Sequence, residues 1–188
     1  MEKIWLTSDF HFCHDKEFVW EARGFESVEE MNQAIVDRFQ SKIQPEDTLY
    51  ILGDCMLNDN EKAEQYLAQI PGKKIFIRGN HDTNPRVEIY KKYTDEEVKW
   101  AEMIKYKGKS IYLSHHPTLT MNQGEMHNIV FNFFGHTHQT VDFFDNYINM
   151  YHVGVDSHDC YPVLIDDAIA ACKDMIQEYK NTQEIKEI

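Results

Sequence analysis

The stretch Lys3-Ile4-Trp5-Leu6-Thr7-Ser8-Asp9-Phe10-His11 decides how the rest of the chain is read. Its first half is a short apolar run, the composition of a buried strand. Its second half releases a carboxylate and an imidazole with one residue between them. The same pattern returns four times. Thr48–Leu52 ends at Gly53-Asp54, and Lys74–Arg78 ends at Gly79-Asn80-His81-Asp82. Ser110–Leu113 ends at Ser114-His115-His116, and Val130–Phe134 ends at Gly135-His136-Thr137-His138. Five expected strands thus each discharge metal-capable side chains at their C-terminal end, where α/β sheets bind ligands.

Helical patterns alternate with these strands. Ser27-Val28-Glu29-Glu30 has the form of a capping box, and Val28, Met31, Ile35, Phe39 and Ile43 follow it as a stripe at helical spacing. Glu61–Ile70 reads as a second helix stopped by Pro71-Gly72, Arg86–Tyr93 as a third, and Asp167–Tyr179 as a C-terminal one. Val98–Tyr106 and Lys109–Leu113 suggest a hairpin turned at Lys107-Gly108, and Phe143–Tyr147 a second with Asp145-Asn146 at its tip. Parallel βαβ units come first and antiparallel hairpins late. The expectation is an α/β (α+β) chain, two stacked mixed sheets with helices outside. No repeat or Pro/Gly/Ser-rich linker divides residues 1–188, so one domain is expected, with the charged end from about 181 to 188 frayed.

Composition narrows the function classes. Hydrophobic residues at 42% and charged residues at 27% exclude a disordered or fibrous chain. Nineteen Lys and Arg stand against 32 Asp and Glu, a formal charge of −13. Such a surface repels duplex nucleic acid, whose binding rests on neutralised phosphates, and anionic membranes equally. A small anionic substrate is compatible with it where a metal offsets the field locally. No apolar run approaches the roughly 20 residues of a membrane span, and Ile4-Trp5-Leu6 is too short for a signal peptide core. The four cysteines show no CxxC spacing, which makes a reducing cytoplasm the expected location.

Taken together, the strand-end clusters supply imidazoles, carboxylates and one amide oxygen. Zn, Mn, Fe and Ni accept such mixed ligands. No thiolate sits in the pattern, which weighs against a structural zinc site. A single catalytic metal commonly uses three protein ligands, and these clusters hold enough candidates for two metals sharing a bridge.

The five blocks, in this order, resemble the calcineurin-like metallophosphoesterases, from Lys3 to about Pro162. Thr7-Ser8-Asp9-Phe10-His11-Phe12-Cys13-His14 is most similar to the opening of the short bacterial and phage phosphoesterases. The resemblance implies a four-layer αββα sandwich with two metal ions at the strand ends. It implies that Asp9, His11 and His138 hold one ion, that Asn80, His115 and His136 hold the other, and that Asp54 bridges them. Of the adjacent His115 and His116 it favours His115. The implied reaction is hydrolysis of a phosphodiester or phosphomonoester by a metal-bound hydroxide, with His81 protonating the leaving oxygen and Asp82 orienting His81. A nucleotide or pyrophosphate hydrolase using the same centre is the alternative. A non-catalytic protein-binding scaffold is the rival from another class, and the intact ligand set weighs against it.

Several residues are left with two readings. His14 is a candidate for lining the substrate pocket or for satisfying its own loop. Arg23 is a candidate phosphate clamp, against a plain surface role. Cys13 and Cys55 neighbour proposed ligands and are read as bystanders. His127, His152 and His158 have no motif support and are read as structural, while Asp156 closes Val153-Gly154-Val155 as one more strand end near the site and is a candidate for a supporting role behind the ligands. The small phosphorylated substrate, the metals among Mn, Fe, Zn and Ni, and the oligomeric state are not specified by these motifs.

Overall fold

A computed structural model describes residues 2–120, 129–145 and 147–186. The opening stretch forms β1 (Ile4–Thr7), at the heart of the first sheet. It pairs in parallel with β2 (Thr48–Leu52), which pairs in parallel with β3 (Lys73–Ile77). On its other side β1 meets the two-residue β8 (Val163–Leu164), antiparallel. The second sheet runs in the order β4 (Ala101–Tyr106), β5 (Lys109–Ser114), β6 (Val130–Phe134), β7 (Met150–His152). Here β4 is the antiparallel edge and β5, β6 and β7 are parallel. A parallel bridge between Ser8 and Gly154 joins the two sheets just past the ends of β1 and β7.

Successive strand side chains point to opposite faces, and β1 shows the consequence. Trp5 enters a core with Leu49, Ile51 and Phe76 that is roofed by helices α2 (Val28–Gln40) and α3 (Asn60–Leu67). Leu6 enters the other core, with Tyr50, Leu52 and Ile77 of its own sheet against Ile111, Leu113, Phe131 and Phe133 of the second. Two mixed sheets therefore face each other and are flanked by helices. Helix α4 (Asn84–Tyr90) buries Tyr90 on the α2/α3 side. Helix α5 (Ile165–Lys186) sends Ile165, Ala168, Ile169 and Cys172 into the inter-sheet core.

The boundaries differ from the expected ones in instructive places. Ser27 Oγ accepts the Glu30 N–H at 3.1 Å, but the Glu30 carboxylate takes the N–H of Glu26, not that of Ser27. Only half of the capping box forms. A short helix α1 (Glu17–Trp20) lies in a stretch with no helical stripe. Helix α5 runs past Tyr179 into the segment expected to fray. The hairpin around Lys107-Gly108 forms as β4–β5. The second expected hairpin reduces to one antiparallel bridge, Phe143–Tyr151, and its tip at Asn146 lies outside the described residues, as does His127.

What this architecture does for function is alignment. β1, β2 and β3 run parallel, as do β5, β6 and β7, so the C-terminal ends of each set share an edge. The Ser8–Gly154 bridge brings the two edges together.

Candidate metal centre

Three of the five strand ends, those of β1, β2 and β6, deliver their side chains from a sharply turned backbone. Asp9, His11, Asp54, His136 and His138 all have φ between 48° and 69°. These are five of the eleven non-glycine residues with positive φ among the described residues. Non-glycine residues rarely occupy this left-handed region, and such strain persists where surrounding structure over-determines it, commonly at functional sites. The glycines of the motifs serve close approach. A Cβ on Gly79 would fall on the Asp54 carboxylate, and one on Gly135 would fall on Ser8 Oγ and Asp9 Oδ2. At Gly53 it would lie 2.6 Å from the Gly79 Cα and from His115 Nδ1.

The donors gather in two overlapping groups. In the first, Asp9 Oδ2 accepts from Ser8 Oγ at 2.5 Å and from the His136 N–H at 2.8 Å. Its Oδ1 is buried with no hydrogen-bond partner. That free oxygen lies 3.7 Å from His11 Nε2 and 3.8 Å from His138 Nε2, and the two ring nitrogens face each other at 3.1 Å. In the second group, Asn80 Oδ1 lies 2.9 Å from His115 Nε2 and 2.8 Å from His136 Nδ1. Asp54 Oδ2 sits between the groups, 3.3 Å from His115 Nε2 and 3.9 Å from His11 Nε2. Its other oxygen accepts the His81 N–H at 2.8 Å.

This arrangement fits metal ions. Donors held at 2.0–2.2 Å from one ion are necessarily spaced about 3 to 4 Å from each other, the spacing found here. An orphaned buried carboxylate oxygen and facing imidazole nitrogens are what a cation would satisfy. Asp9, His11 and His138 meet this test as a set, as do Asp9, Asp54 and His115. So do His115, His116 and His136, which brings the exposed His116 within reach; its ring packs 4.3 Å from that of His136.

The electrostatics point the same way. Burial pushes Asp9 up, yet contact with His11 and the charges of His115, His11 and His138 outweigh it and hold the carboxyl well below its usual range. Burial disfavours a charged His115, but its hydrogen bond with Asp54 and the charges of Asp9 and Asp54 raise it to about 9. Against burial, His138 is raised likewise, through its bond to Asp156 and the charges of Asp9 and Asp156, whereas burial lowers His11 and His136.

Comparison with known proteins agrees with this geometry. The family model of the calcineurin-like phosphoesterase superfamily domain matches residues 3–154. The chain belongs to that superfamily. Over 119 residues it is 34% identical to an uncharacterized protein of Methanocaldococcus jannaschii, MJ1445, covering 62% of this chain and 60% of that one. Over 86 residues it is 33% identical to the Gene 66 protein of Mycobacterium phage L5, covering 44% and 41%. The alignments thus span about three-fifths and two-fifths of these relatives' lengths. The crystal structure of AQ665 from Aquifex aeolicus, a protein of unknown function, superposes with a TM-score of 0.68 at 25% identity, covering 89% of this chain and 97% of that one.

Two expectations about the phosphoesterase site are corrected. Arg23 is neither a substrate clamp nor a surface residue. Its side chain is 2% exposed and its guanidinium is fully engaged. Nε and one NH2 group donate to Asp156 at 2.9 and 3.1 Å, and the remaining donors reach the carbonyls of Asp9 and Phe10. Asp82 does not orient His81. Its carboxylate accepts from the N–H groups of Asp54 and Gly79 and from Tyr90 Oη at 2.5 Å. It ties the β2 and β3 loops together from behind the site.

His81 itself stands at the mouth, half exposed, with Nε2 4.0 Å from Asp54 Oδ2 and its ring 5.6 Å from that of His11. His14 packs beside His11 at 5.5 Å. Cys13 and Cys55 are buried thiols; burial pushes Cys13 up to about 11 and Cys55 well above its usual range. His152 and His158 belong to none of these donor groups; His152 Nδ1 lies 2.7 Å from Ser157 Oγ, and His158 Nε2 lies 2.8 Å from the His152 carbonyl.

The residues that sequence reasoning undervalued are Asp156 and Arg23. Asp156 Oδ2 lies 3.0 Å from His138 Nδ1, and Arg23 braces the same carboxylate. Burial raises Asp156, but the His138 hydrogen bond and the Arg23 charge hold it at about 2. A carboxylate on the far nitrogen of a ligating histidine fixes its tautomer and ring orientation. The available signal was the strand-like Val153-Gly154-Val155 before Asp156, the same grammar as the other ligand blocks.

Proposed function

We propose that the protein is a dinuclear metal-dependent hydrolase of small phosphoesters. The observation that carries the reading is the convergence of donors from five strand ends around the buried Asp54. Asp9, His11 and His138 would hold one ion, Asn80, His115 and His136 the other, and Asp54 would be shared. Divalent ions bound there supply a water of lowered pKa and charge neutralisation for phosphoryl oxygens. The protein's own groups do the rest. Ser8 and the His136 N–H fix the Asp9 carboxylate, leaving its Oδ1 directed at the imidazoles. The Arg23–Asp156 pair holds His138. His81 is anchored through its backbone while its imidazole reaches solvent. It is placed to give a proton to the departing oxygen.

The test compares His81→Ala with wild type on an alkyl phosphoester and on bis-p-nitrophenyl phosphate, with metal content measured in parallel. A lost general acid costs roughly 10²–10⁴ in rate. The loss is expected in full on the alkoxide leaving group and much less on p-nitrophenolate, which departs without a proton. Metal content is expected to stay unchanged. Equal losses on both esters, or loss of metal, would refute the assigned role. Absence of metal-stimulated hydrolysis in wild type would refute the enzyme reading itself.

A further inference from the structure

Phe18 is the most exposed large hydrophobic residue among the described ones, at 72%. It sits in the four-residue α1, whose neighbouring Val19 and Trp20 pack against the helix-side core. The helix is therefore pinned by residues 19 and 20 while the ring of residue 18 is turned to solvent. It is not placed at random on the surface. Its ring meets that of His14 edge to face at 5.9 Å, and His14 in turn lies 5.5 Å from His11. A continuous line of rings leads from the ligand cluster to Phe18, and the two spacings put Phe18 within about 11 Å of the His11 ring.

We propose that Phe18 is a stacking platform for the base of a nucleotide whose phosphate lies at the metal centre. The proposal rests on the hydrolase reading and specifies its substrate class. An exposed ring costs a soluble protein apolar hydration and offers little in packing unless something covers it. The site fixes the occupant's other end, because the donor cluster selects a phosphate. His14 contacts both the His11 ring and Phe18, so a ligand with its phosphate at the donors and an aromatic group on Phe18 carries a spacer alongside His14. A ribose provides that spacer. Every base has a π-face, so one phenyl platform serves any base and confers preference for nucleotides over sugar phosphates without reading the sequence.

The test is equilibrium binding to the metal-loaded protein. AMP and ribose 5-phosphate, each as its non-hydrolysable methylenephosphonate, are titrated into wild type, Phe18→Ala and Phe18→Trp, while phosphoester hydrolysis is assayed separately on the same preparations. Removing a base–aromatic stack weakens binding by about tenfold to 100-fold. Wild type is expected to bind AMP tighter than ribose 5-phosphate by that factor. Phe18→Ala is expected to close the gap by losing AMP affinity alone, and Phe18→Trp to keep it. Equal affinities for the two ligands in wild type would overturn the proposal, as would unchanged AMP binding in Phe18→Ala. A gap that persists in a protein with no hydrolytic activity would sink the enzyme reading and leave the stacking platform standing.

Discussion

His138 is held from behind by a residue that no motif contains. Asp156 orients its ring, and Arg23 orients Asp156 while also gripping the carbonyls of Asp9 and Phe10. One buried ion pair thus fixes ligands from β1 and β6. Asp156→Asn is expected to weaken metal binding by about 10- to 100-fold, the usual cost of removing such a partner, with far-ultraviolet circular dichroism unchanged. Metal titration followed by calorimetry checks it; wild-type affinity in the variant would show that the contact is incidental. A second residue-scale prediction concerns His152. Burial lowers it to about 4 against an ordinary 6.5, so the folded state binds fewer protons than the unfolded one between those values. Stability from this group is complete above about pH 6.5 and is lost as pH falls through the window toward 4, about 3 kcal/mol in all. Denaturant titrations from pH 7 to 4 should therefore show a shallower decline in His152→Asn than in wild type. Parallel declines would contradict the assignment.

At the scale of elements, the parallel strands were legible because a strand buried on both faces is a continuous apolar run, and each such run here stops abruptly at its functional cluster. β6 appears with its expected limits, Val130–Phe134. The elements that were not legible are the short ones. The three residues of β7, the two of β8 and the four of α1 are too few to show a period. They exist because tertiary pairing supplies what local pattern does not. The motif residues located the donors, but not the contacts behind them. Arg23 and Asp156 lie 133 positions apart, and only the fold brings them together. Asp82 misled for the related reason that proximity in sequence to His81 says nothing about where a carboxylate points after a tight turn. The loops' glycines give an element-scale prediction. Gly79→Ala places a methyl against the Asp54 carboxylate and 2.6 Å from the Asp54 backbone nitrogen. Overpacking of this kind costs about 1–3 kcal/mol, so its melting temperature is expected to fall and metal affinity with it. An unchanged melting temperature and affinity would show that the β2 and β3 loops are not locked together.

For the whole molecule, the two sheets pack on a common core and share one functional edge. Strands β1–β3 contribute Asp9, His11, Asp54 and Asn80, while β5 and β6 contribute His115, His136 and His138. Neither sheet supplies all the ligands assigned to either ion. The strongly acidic surface, with its formal charge of −13, surrounds a site whose cations would supply the local attraction for a phosphate. No described helix is long and apolar enough to cross a membrane. The central claim is that the edge shared by the two sheets holds two ions through one carboxylate, and metal stoichiometry tests it most directly. Protein stripped with chelator, reconstituted with Mn or Zn and dialysed should carry close to two equivalents per chain by mass spectrometry, and Asp54→Ala should carry far fewer because both positions lose a ligand. A single equivalent or none in wild type, or two retained in Asp54→Ala, would contradict the account.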